Sequence, residues 1–209
     1  MTGPIEEPHP FFVLTLDERV DLYADVLAIL GKPSSSNREQ AADLKRVVFE
    51  GLRTAVKQGI PRSSVAIWVD GDLGESVLLR AKAMSIGTSA SPGNGLETVK
   101  HLFVDYIGIQ LSFDPDSPLN TREQLLKQLE GLSGSSREGS IPLIVELDST
   151  PTPAQIDNFG DSMKARANLL LKSIEQFQDA GVNSGLWAFD PKGIESYIPT
   201  LAAQAHIDG

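Results

Sequence analysis

Short runs of β-branched and aromatic residues recur along the chain, each ends in a polar cluster, and most are followed by a segment with helical apolar spacing. That rhythm belongs to βα units, not to a sandwich, because a sandwich would alternate strands with turns alone. Six such units can be counted. The pattern predicts an α/β fold in which each strand is followed by a helix that returns the chain to the same end of a parallel sheet.

The first predicted strand is Phe11–Leu16, followed by a partly helical stretch from Arg19 to Leu30 and a break at Pro33-Ser-Ser-Ser-Asn37. A long helix is predicted from Arg38 to Gln58, with Ala42, Leu44, Val47, Val48, Gly51, Leu52 and Ala55 forming its apolar stripe and Gly59 its stop. Ser64–Val69 reads as a second strand, Glu75–Ala83 as a short helix, and Ser85–Ser89 as a weak third strand running into the loop Ser91-Pro-Gly-Asn-Gly95. That loop is glycine-rich but has neither Walker nor GxGxxG spacing, so it offers no phosphate cradle. Leu96–Val104 is expected to be helical, Tyr106–Phe113 a fourth strand, Thr121–Leu132 an amphipathic helix and Gly131–Ser140 a surface loop. A fifth strand at Ile141–Leu147 precedes a helix from Asp161 to Ala180, and a sixth at Leu186–Phe189 precedes a last helix over Gly193–Ala205.

With 209 residues, 41% of them hydrophobic, the chain can bury a core as a single domain over 11–209, with residues 1–10 as an N-terminal extension. There is no cysteine, which excludes disulfides, thiolate catalysis and cysteine-based metal sites. Met1–Pro10 has acids and prolines but no apolar core, so it is not a secretory signal, and no window approaches the roughly 18 apolar residues of a membrane span. The expectation is a cytoplasmic protein without a membrane contact. A formal charge of −10 with no basic stripe argues against nucleic acid as a partner.

Carboxylates cluster where the strands finish: Asp17 and Glu18, Asp70 and Asp72, Asp114 and Asp116, Glu146 and Asp148, and Asp190. In a parallel βα array these ends share one face, where such folds build their sites. Acids after strands also cap helices and start turns, which is their commoner use. A set around one mouth must share protons, pair with cations or hold a hard divalent metal. Asp17, Asp70, Glu146 and Asp190 are the candidate catalytic carboxylates, with Glu18, Arg19, Asp114 and Lys192 as candidate ligand-binding residues. No organic cofactor is expected; a divalent metal is the one admitted. His9, His101 and His206 are not at metal-ligand spacing, and Ser89 and Ser112 lack a neighbouring histidine to activate them.

The runs Phe11-Phe-Val-Leu-Thr-Leu-Asp-Glu-Arg19, Ser64-Val-Ala-Ile-Trp-Val-Asp70, Tyr106-Ile-Gly-Ile-Gln-Leu-Ser-Phe-Asp-Pro-Asp116, Pro142-Leu-Ile-Val-Glu-Leu147 and Asp179-Ala-Gly-Val-Asn-Ser-Gly-Leu-Trp187 resemble, in order, landmarks of one barrel family. It is the class I aldolase group of tagatose-bisphosphate aldolase and of the aldolase-like domain fused to deoxy-keto-gluconate kinases. The resemblance implies a TIM-barrel-like βα repeat, here with about six recognisable units. It also implies chemistry by a lysine Schiff base with nearby acids moving protons. Lysines would stand near Gly108 and directly after Trp187, where this chain has Ala188, and an acid would stand near Gly87 and Thr88. Asp17, Asp70 and Glu146 match, while Glu18 replaces a neutral or basic polar residue. Lys192, between Pro191 and Gly193, reads as a helix-start residue and not as a substitute amine.

A complete barrel of this type has eight units in ~250 residues. Six units leave the first and last strands as edges, which predicts a second copy or a different subunit covering them; the alternative is a sheet that closes with six or seven strands of altered tilt. Two functions follow. One is a divergent barrel without the Schiff-base lysines, a non-catalytic or regulatory subunit that binds a small sugar-like ligand. The other is an active carbon–carbon lyase or isomerase on a sugar or keto acid, using the strand-end carboxylates with or without a divalent metal.

Overall fold

In sheet order the six strands follow their order in the chain, β1 (Phe12–Leu16), β2 (Val65–Asp70), β3 (Gly87–Ser91), β4 (Tyr106–Ser112), β5 (Leu143–Asp148) and β6 (Leu186–Ala188). The computed structural model describes residues 12–16, 35–92, 99, 101–139, 141–182 and 184–205. The β1–β2, β2–β3, β3–β4 and β5–β6 pairs are parallel. The intervening helices are α1 (Arg38–Lys57), α2 (Glu75–Ala83), α3 (Leu119–Gly139), α4 (Pro153–Phe159), α5 (Ser162–Asp179) and α6 (Ile198–Ala205). This is the alternating α/β organisation with parallel strands that the sequence rhythm predicts. The chain divides into two compact units, Met1–Ile107 and Gly108–Gly209, with the boundary inside β4. The predicted extension at residues 1–10 and the helical stretch Arg19–Leu30 lie outside the described residues.

In the first unit β2 is buried along its whole length, as a strand covered on both faces must be, and its Val-Ala-Ile-Trp-Val run is the sequence mark of that position. Leu16 of β1, Ala90 of β3 and Val77, Leu78 and Ala81 of α2 complete this core. Helix α1 buries Ala41, Lys45 and Phe49, spaced by four, and leaves Val47 68% exposed. Of the expected stripe Leu44 packs against Ala41 while Val47 faces solvent, so the buried face is centred on Lys45. A lysine in the centre of the buried face hides that face from hydrophobic periodicity. Gly74 is required where it stands, because a Cβ there would meet Val69 Cγ2 at 2.4 Å and the Asp70 carbonyl oxygen at 2.6 Å.

In the second unit the core gathers Leu143, Val145 and Leu147 of β5 with Leu169, Leu170, Ile174 and Phe177 of α5. Phe177 meets Phe113 at 4.6 Å between ring centroids and stacks on Trp187 at 5.9 Å. The predicted surface loop Gly131–Ser140 is the second half of α3 as far as Gly139. Its glycines cost helix propensity, but Ser133 and Ser136 are buried, and the Ser136 hydroxyl donates to the Ile141 carbonyl. The helix predicted from Asp161 is preceded by a separate α4, held by a complete capping box between Thr152 and Gln155 and ended by Gly160 at φ +74°. Strand β3 starts and ends two residues later than predicted.

Candidate functional site

The ends of β1 and β2 hold a buried charged group that the sequence does not advertise. Lys45, one turn into the packed face of α1, reaches the carbonyl of Leu16 with its ammonium and lies 2.5 Å from Asp70 Oδ2, with side chains 0% and 2% exposed. Lys45 and Asp70 Oδ2 form a buried ion pair. The other Asp70 oxygen, Oδ1, accepts the Leu73 N–H at 2.6 Å and so starts the turn into α2. A single carboxylate thus closes an ion pair and a turn. Burying both charges costs several kcal/mol each, and only close pairing with extra hydrogen bonds offsets it.

The register places Trp68 opposite Ser89 and Asp70 opposite Ser91, so these four side chains point to one face of the sheet. Trp68 Nε1–H donates to Ser91 Oγ at 2.7 Å. Ser89 is 1% exposed, and among the described residues its hydroxyl has no hydrogen-bond partner. Gly87 and Thr88, where the resemblance places an acid, are the first residues of β3 and carry no carboxylate. At the starting end of β3, Thr88 and Asp105 bind each other, with Asp105 Oδ2 accepting both the N–H and the hydroxyl of Thr88 at 2.8 Å.

A second polar cluster belongs to the Gly108–Gly209 unit. Asp114 Oδ1 accepts the Asp116 N–H at 3.0 Å, a tight local turn after β4. The buried Gln155 amide donates to Asp114 at 3.0 Å and to Asp116 at 3.1 Å, and its own carbonyl oxygen accepts from Thr152 in the capping box. Lys172 of α5 pairs with Asp116 at 3.0 Å. The Lys172 hydrogen bond holds the Asp116 carboxyl below its ordinary range against burial, the next largest effect, with the Gln155 hydrogen bond adding a smaller lowering.

Of the sequence-derived candidates, Asp17, Glu18 and Arg19 lie outside the described residues. Asp70 is in the Lys45 pair, and Asp114 is in the Gln155 cluster. Glu146 is half-buried near the end of β5, aligned with Ala188 of β6. Asp190 is exposed and accepts the Lys192 N–H at 3.0 Å, a local turn after β6. Lys192 is exposed, and its carbonyl accepts from Arg166 at 3.2 Å. Nearby, Glu195 is held below its usual range by its own backbone N–H and by that of Gly193. The positions where family lysines would stand, Gly108 and Ala188, lie within β4 and at the end of β6.

Sequence reasoning missed Lys45 and Gln155. Both sit on helices, away from the strand ends being searched; the one available signal was a lysine among the apolar residues of α1. An open groove of about 330 Å³ between α1 and the start of α2 holds Arg38 and Arg46 against Glu39, Asp72 and Glu75, and excludes Asp70 and Lys45. Among the described residues no three histidines or carboxylates are grouped to hold a metal ion, and no helix is long and apolar enough to cross a membrane. The sequence matches no protein-family model and no curated protein.

Proposed function

We propose that the chain is a divergent aldolase-like βα protein without the Schiff-base lysines of that family, serving as a non-catalytic or regulatory subunit that binds a small sugar-like ligand. One observation carries this reading: among the described residues, three of the strand-end carboxylates, Asp70, Asp114 and Asp190, are engaged by partners within the fold. Asp70 serves Lys45 and the Leu73 N–H, Asp114 serves the Asp116 N–H and Gln155, and Asp190 serves the Lys192 N–H. A general base needs its lone pair aimed at substrate, and these are aimed at the fold. Phe12 at 60% and Val13 at 37% exposure on the first strand support a protein neighbour, either a second copy or a different subunit.

A second reading, an active lyase or isomerase, is favoured by Lys45, an amine at the strand ends that the family pattern does not supply. As the ammonium half of an ion pair it has no lone pair to attack a carbonyl. Its proton would first have to pass to Asp70, the group 2.5 Å away. One experiment separates the two readings. The protein is incubated with dihydroxyacetone phosphate or pyruvate and borohydride, then digested for mass spectrometry, while thermal melting is followed with the same compounds and with sugar phosphates. A raised melting temperature with no reduced adduct supports the subunit reading. An adduct on Lys45, absent in Lys45→Arg, would overturn it in favour of the enzyme.

A further inference from the structure

We draw no further inference here: the strongest candidate, the buried Ser89 hydroxyl that shares a sheet face with Asp70 at the ends of β2 and β3, belongs to the site already described.

Discussion

Lys45 ties α1 to two strands at once, through the Leu16 carbonyl and Asp70. Removing one partner of such a pair upsets the charge balance of a buried site, so Lys45→Met and Asp70→Leu should each cost about 3–5 kcal/mol in urea unfolding. The double variant should lose much less than the sum of the two, because apolar groups of similar volume replace a buried pair at little net cost. Additive losses would mean that the ion pair is not the link. Asp116 offers a gentler test. Its carboxyl titrates below the ordinary 3.8 when folded, so its contribution is present above that value and fades as pH falls through the lowered one. At 41% side-chain exposure solvent screens the pair, so the effect on stability is small. Titration followed by NMR should show the Asp116 value rising toward the ordinary range in Lys172→Met; an unmoved value would mean that Lys172 is not what lowers it. Asp70, Asp114 and Asp190 were legible in the sequence as strand-end acids. The Lys45 partner of Asp70 and the Gln155 partner of Asp114 were not, because a contact with a helix many residues away leaves no local pattern.

At the scale of elements, strand positions were readable wherever β-branched residues run together. Val65–Val69 and Leu143–Val145 are covered on both faces and need no alternation to be recognised. Helix faces were less legible. On α1 the sequence favours Val47, whereas the fold buries Ala41, Lys45 and Phe49. The charged head of Lys45 finds Asp70 while its stem packs, and no hydropathy scale credits that stem. The difference is measurable: Phe49→Ala should destabilise by about 3–5 kcal/mol, while Val47→Ala, at an exposed site, should stay within about 0.5 kcal/mol. Comparable losses at both positions would restore the stripe through Val47. On α3 the Gly and Ser run reads as a loop because propensity is summed locally. Burial of Ser133 and Ser136 shows tertiary packing deciding the conformation instead.

For the whole molecule, the parallel order of the strands follows from the βα rhythm, since each helix returns the chain to the same end of the sheet. What lies against the outer edge of β1 is not encoded in that rhythm. Strand β1 is first in the sheet order, is paired through Phe12–Leu16 to β2, and exposes Phe12 and Val13. Proteins ordinarily blunt such an edge with lysine, proline or a bulge, and Phe12-Val-Leu-Thr-Leu16 contains none of these residues. Apolar strand residues left in water at such an edge favour association. Sedimentation of the purified chain across a wide concentration range should therefore show association, and Phe12→Lys should shift it to the monomer. Because Phe12 is 60% exposed in the single chain, the same substitution should leave urea unfolding of the monomer within about 0.5 kcal/mol of the parent. A parent chain that stays monomeric at every concentration and captures no partner through this edge would remove the subunit reading, since the apolar edge would then be tolerated in water.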